Sequence, residues 1–364
     1  MKKIVSVLLL LCTLLSLAAC GAKFDPVPST EEEKEVLMTF ELEGEKYELR
    51  YELYRALFLN HSKEYDGGNK EFWNTAESSD AKAELDEKII NLSLDIFSAL
   101  HLCKKIGYDP YSLDADDKIE EYIKQSVEGD VVVGFDGDYD AYLAHLKDLN
   151  MNYSVQALMY RYAIAYDKIV TYYRGTDDLD NPTPDMKEGA LKYTEADVRD
   201  FYNSDASARI STITFNADYI SRDSVQERRD RIAGFDTEAG ALGYAVQFAD
   251  PMGDPEDILR GTIVGKNSMD TAYYADVAKA AFELPGGATS DVILVNTEIA
   301  NEYWIVYKME KSAEYLNENF DTIEDVYVSH RIGEIIAAAK DSLASSVKHT
   351  DAYSELERSK ISMN

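Results

Sequence analysis

Residues 273–293 read YYADVAKAAFELPGGATSDVI, and the order of residue types in this stretch decides how the second half of the chain folds. Helical spacing from Thr271 to Leu284 is cut off by Pro285-Gly286-Gly287, where a ring without an N–H and two unhindered backbones force a turn. A strand from Ser290 to Val295 follows, and a second apolar strand runs from Tyr303 to Met309. Upstream, Thr194-Glu195-Ala196-Asp197 is a capping-box start for a short helix through Tyr202. Then Ala208 to Phe215, ARISTITF, alternates apolar and polar residues as a half-buried strand does. Arg222 to Ala233 is a charged helix. Strands joined by turns and short helices in this order predict an α+β unit with a mostly antiparallel sheet.

Outward from this unit, the tract Gly175 to Gly189, GTDDLDNPTPDMKEG, is polar and proline-bearing, which marks a domain boundary. Ahead of it the pattern is helical. Leu37 to Tyr51 is a β-hairpin turning about Glu43-Gly44-Glu45, and helical spacing continues to about Lys63 with Leu53, Leu57 and Phe58 on one side. A long helix is expected over Ala81–Ile106, where Leu85, Ile89, Leu92, Ile96, Leu100 and Cys103 recur at three- and four-residue steps before Gly107 and Pro110. Further helices are expected over Asp114–Val127, Phe135–Leu149 and Ser154–Tyr173, the last with a stripe of Leu158, Tyr162, Ala165, Ile169 and Tyr172. A final helix is expected to start at a capping box, Thr322 to Asp325, and to present Ile332, Ile335, Ile336, Ala339 and Leu343.

At the N-terminus Lys2 and Lys3 precede an uncharged run from Ile4 to Leu17, the pattern of a secretion signal and too short to span a bilayer comfortably. Leu17-Ala18-Ala19-Cys20 has the aliphatic, small, small, cysteine order of a lipobox, so lipid attachment is expected at Cys20. Residues 20–36 carry two prolines and three consecutive glutamates and predict a flexible tether. Cleavage there would leave Cys103 without a partner thiol, and its neighbours Leu102 and Ile106 suggest a buried structural role. The chain has 68 acidic and 37 basic residues and a net charge of −31, which excludes nucleic acid as a partner. Asp136, Asp138 and Asp140 begin a calcium-loop spacing, but Ala141 and Lys147 stand where a glycine and a glutamate are needed. No metal ligands or cofactor are expected.

Three fragments resemble the parvulin-type peptidyl-prolyl isomerases: YTEADVRDFYN with ARISTITF, the stretch Tyr273–Ile293, and EYWIVYKMEK from Glu302 to Lys311. The resemblance spans about 193–311. With the lipobox, a helical N-terminal domain and a C-terminal helix, the arrangement is similar to that of PrsA-type and SurA-type extracytoplasmic foldases. It implies a SurA-like helical domain with a small hairpin over 37–174, a linker over 175–192, a parvulin-like α+β domain over 193–311 and a C-terminal helical segment over 312–364. In those families the terminal helix commonly returns to the N-terminal domain; docking on the parvulin-like domain is the other arrangement open to it.

The active family places two histidines on neighbouring strands, with an aspartate or cysteine beside them. Carried over, the histidine positions fall on Thr212 and Trp304 and the aspartate position near Thr262. The proline-slot positions fall on Tyr273, Val277 and Phe282, with Trp304 beside them; core packing is the competing role for Val277, Phe282 and Trp304. The five histidines are His61, His101, His145, His330 and His349, so none lies within 193–311. The resemblance thus implies a membrane-tethered foldase or holdase for unfolded or partly folded secreted proteins, with a degenerate isomerase centre. Two alternatives stand beside it: an active isomerase with a diverged centre, and a non-enzymatic ligand-binding or scaffold lipoprotein.

Overall fold

The computed structural model describes residues 26–129, 134–175, 189–249, 255–268, 275–296 and 301–363. The expected signal sequence, Cys20, Tyr273 and residues 176–188 of the linker lie outside them. The chain forms two units, one of residues 1–188 and 336–364 and one of residues 189–335.

In the first unit, β1 (Val36–Leu42) and β2 (Glu45–Arg50) pair antiparallel about a two-residue turn. Glu43 and Gly44 both take positive φ, 51° and 83°, as a type I′ turn requires. A register shift between Val36 and Met38 puts Leu37 and Met38 both in the core, because a bulge inserts one residue into the alternation. The hairpin is part of a larger sheet than expected. Lys348–His349 (β7) pairs with Met38 and Thr39, giving three strands in the order β2-β1-β7. Two residues carry too little alternation to be read as a strand.

Helices α1 (Tyr51–His61), α2 (Ser79–Lys105), α3 (Leu113–Glu128), α4 (Tyr139–Asp148) and α5 (Tyr153–Arg174) complete the body of this unit. Phe97 of α2 packs against Phe40 and Tyr47 of the hairpin, with ring centroids 5.4 and 5.6 Å apart. The expected stripe on α2 is buried except for Leu92, which is half-buried. On α5 the stripe is displaced: Tyr160, Ile164, Ala165 and Ile169 are buried, whereas Leu158 and Tyr162 are half-buried and Tyr172 is 46% exposed. Tyr160 and Ile164 turn instead toward Ile119, Ile123, Tyr142 and Leu146. Asp138 caps α4, accepting from the Ala141 N–H.

Buried in this unit, the Asp86 carboxylate accepts from Tyr54 and Tyr353 hydroxyls at 2.7 Å each and from the Arg358 guanidinium at 2.5 Å. Tyr54 comes from α1 and Asp86 from α2, while Tyr353 and Arg358 come from the last turns of the chain. One acid thus ties both ends of the sequence into the same core.

The second unit is built on a four-stranded antiparallel sheet of order β4-β3-β6-β5. Its strands are β3 (Ser207–Asn216), β4 (Thr262–Gly265), β5 (Ile293–Asn296) and β6 (Asn301–Met309). The leading helix α6 (Glu195–Asn203) has the expected capping box from Thr194 and Asp197. On one sheet face, Ile213, Phe215, Ile305 and Met309 pack with Val225 and Ile232 of α7 (Arg222–Ala233), Ala241 and Leu242 of α8 (Glu238–Ala245), and Ile258 of α9 (Pro255–Arg260). The opposite face is covered by α10 (Ala275–Glu283).

Two expected boundaries move. The strand expected from Ser290 begins at Ile293, because the Ser290 hydroxyl accepts the Val306 N–H at 2.9 Å and so replaces a backbone rung. The last helix, α12 (Phe320–Ala344), starts before Thr322. The operative cap is Ser312, which opens α11 (Ala313–Glu318) by accepting from the Tyr315 N–H. On α12, Ile332, Ala339 and Leu343 are buried and Ile335 and Ile336 half-buried; residues 320–335 belong to the second unit and 336–344 to the first. Among the described residues no helix is long and apolar enough to cross a membrane.

Candidate functional site

Alternation along ARISTITF sends Ala208, Ile210, Thr212 and Thr214 to the sheet face under α10 and the odd-numbered residues to the other face. Register fixes their partners. Ile210 faces Thr262 on β4, Thr212 faces Val306, and Thr214 faces Trp304 on β6. Thr212, Thr262 and Trp304 therefore share one face, and Thr212 and Trp304 are diagonal neighbours across β3 and β6, close enough for a large side chain to bridge.

The apolar bed of this face is made by Ala208, Ile210 and Val306 with Val277 and Ala281 of α10, and Phe282, Ile293 and Trp304 pack half-buried at its margin. Val277 is 7% exposed and so lies in the core rather than on an open slot wall. Phe282 and Trp304 keep part of their rings accessible. Thr212 is half-buried and Thr262 exposed. Among the described residues neither hydroxyl has a hydrogen-bond partner, so neither is locked into a strand-local bond.

The Trp304 indole N–H donates to Glu302 Oε2 at 2.7 Å. Glu302 was not among the expected site residues. The two-residue period of EYWIVYKM places it beside Trp304 on this face, and that alternation is the signal that reveals it. Its second carboxylate oxygen has no partner among the described residues, and neither has it a lysine or arginine within ion-pair distance there.

Hydroxyls and an indole can donate hydrogen bonds to an imide, but they cannot take up and return a proton near neutral pH as an imidazole does. The histidines lie elsewhere. His61, His101, His145 and His349 belong to the first unit. His330, on α12, accepts the Asn267 N–H through Nδ1 at 3.0 Å, lies against the Phe201 ring and has Glu334 3.4 Å from Nε2. Burial holds its pKa below the usual histidine value despite Glu334. Cys103 is fully buried on α2, and burial pushes its thiol up to about 11, far from a nucleophilic thiolate.

No family profile and no curated protein matches the chain. The chain is similar to solved structures of the foldase protein PrsA. The protein from Streptococcus pneumoniae is 16% identical, with 71% of this chain and 87% of that chain covered and a TM-score of 0.27. Its counterpart from Lactococcus lactis is 14% identical, with 90% and 99% covered and a TM-score of 0.23. The Bacillus subtilis protein is 17% identical, with 88% and 97% covered and a TM-score of 0.23. Superpositions this loose place no residue of this chain on a residue of theirs.

Proposed function

We propose that this chain is an extracytoplasmic folding factor, held at a membrane surface by lipid on Cys20, that binds unfolded or partly folded secreted proteins without appreciable prolyl isomerisation. The observation carrying this reading is the α10-covered sheet face. Where the parvulin resemblance calls for paired imidazoles, Thr212 and Trp304 sit as diagonal neighbours, while half-buried apolar surface from Phe282, Ile293 and Trp304 remains beside them. Twisting an amide must overcome roughly 18–20 kcal/mol, and lowering that barrier requires groups that bind the twisted state better than the planar one. Apolar surface alone holds a proline-bearing segment in either state. The large negative charge keeps loaded complexes soluble and favours basic clients.

The test uses the soluble form beginning at Gly21. At several-fold molar excess it is expected to slow the light-scattering rise of an unfolded secreted protein, while a protease-coupled assay on short X-Pro peptides reads little turnover. No suppression at any ratio would move the scaffold reading ahead. Turnover like that of an active parvulin, abolished by Thr212→Val, would establish a diverged enzyme instead. Lipid attachment is checked by mass spectrometry of the mature N-terminus, which Cys20→Ala is expected to leave unacylated.

A further inference from the structure

We infer that the Glu302–Trp304 pair makes this face selective for client segments in which a lysine or arginine adjoins proline. The inference rests on the client-binding reading above and assigns the chemistry of the segment bound. An indole ring is the best π-face for a cation, and a carboxylate 2.7 Å from its N–H sets a full negative charge at the rim of the same ring. Glu302 spends one oxygen on the indole and keeps the other open among the described residues. Its cross-strand partners are Asn216 and Val295, neither of which supplies a positive charge. The nearest cation on the same face of β6 is Lys308, six residues further along the strand and opposite Ile210.

A half-buried carboxylate with one oxygen still open keeps interaction energy for a charge that arrives from outside. A basic side chain on the client supplies that charge, while the neighbouring pyrrolidine ring lies against Phe282 and Trp304. Like charge is rejected by the same group, so an acidic residue in that place loses affinity.

Three labelled peptides, Ala-Lys-Pro-Ala, Ala-Glu-Pro-Ala and Ala-Lys-Ala-Ala, would be titrated against the soluble form from Gly21 and followed by fluorescence anisotropy. The Lys-Pro peptide is expected to bind about fivefold more tightly than the Glu-Pro peptide, and Lys-Ala more weakly than Lys-Pro. Glu302→Gln keeps an acceptor for the indole N–H, and is expected to bring the Lys-Pro to Glu-Pro ratio close to one. It alters one charge in a chain of net charge −31, so the long-range field is almost unchanged. Glu283→Gln, on an exposed residue of α10, serves as the control and is expected to keep the full ratio. Glu302→Asp, which retains the charge, gives an intermediate ratio and a second reading should the glutamine variant fold poorly.

A ratio that survives Glu302→Gln overturns the inference and assigns the preference to overall charge. Absence of peptide binding together with intact aggregation suppression overturns it as well but leaves the folding-factor reading standing. Loss of both removes that reading too.

Discussion

Two carboxylates, one in each unit, show what separates a structural acid from a binding one. Asp86 is buried and receives three donors, from α1 and from the last turns of the chain. Glu302 is half-buried, receives one indole N–H and keeps an oxygen open among the described residues. A fully answered charge in a low-dielectric core specifies which segments meet, and withdrawing one partner exposes the full desolvation cost of the other. A partly answered charge at a surface contributes little to the fold and leaves interaction energy for something that arrives from outside.

The largest expected effect breaks the first member of the pair. Asp86→Ala leaves the half-buried Arg358 guanidinium without its acid and the Tyr54 and Tyr353 hydroxyls without their acceptor, and should destabilise the first unit by about 3 kcal/mol, read from urea unfolding with tyrosine fluorescence. A destabilisation below ~1 kcal/mol would mean that water already reaches the site. The double change Asp86→Leu with Arg358→Met sharpens the point. It removes both charges together, so the share of the loss owed to the stranded guanidinium should be recovered, while the share owed to the Tyr54 and Tyr353 hydroxyls, which still lose their acceptor, should remain.

His330 is the intermediate case, a buried polar ring in the second unit whose Nδ1 must stay unprotonated to accept from Asn267. Desolvation lowers its pKa from the model-compound value of 6.5, against the opposing pull of Glu334 and with Arg331 assisting. The unfolded state therefore binds the proton more readily. The stabilisation is complete above the unfolded pKa and is lost as pH falls below it toward the lowered folded value. Amide exchange in the second unit should accelerate on going from pH 7.5 to 5.5 after correction for intrinsic rates, and the excess should vanish in His330→Gln. An unchanged pH response in that variant would assign the effect to other groups.

The smallest expected effect concerns the second carboxylate. Glu302→Ala should change unfolding stability by no more than about 0.5 kcal/mol, as for surface substitutions outside a network, while still altering peptide selection. A loss near that of Asp86→Ala would erase the distinction between the two acids.

Much of this architecture was legible because side-chain period survives in sequence. Met38, Phe40, Tyr47 and Leu49 alternate into the core of the hairpin, and Leu85, Ile89, Ile96 and Leu100 recur on one helix face. Thr212 and Trp304 came from the parvulin resemblance, and it is the β3–β6 register that sets them on a common sheet face. Elements too short for a period were missed. Thr262–Gly265 has four residues and follows Gly261, whose positive φ lets the backbone pass against Met309 and Ile210. The Thr322 to Asp325 spacing misled because a cap signal is local, and only tertiary context decides whether the backbone before it is already helical. Alternation along EYWIVYKM sets Glu302 on the face of Trp304, but the hydrogen bond that joins the two depends on side-chain geometry that the alternation does not carry.

The strand at Lys348–His349 also sets a timetable. The Glu41 N–H waits for the Ser346 hydroxyl, 305 residues further along the chain. The chain emerges N-terminus first, so an interval passes before Ser346 arrives. During it β1 keeps an unpaired edge and Asp86 lacks its guanidinium, while residues 189–335 emerge as one uninterrupted stretch and can fold first. An unpaired edge is a template for strand addition by any neighbouring chain. A protein of this design is thus, until its last residues arrive, in the same exposed condition as the clients proposed for it.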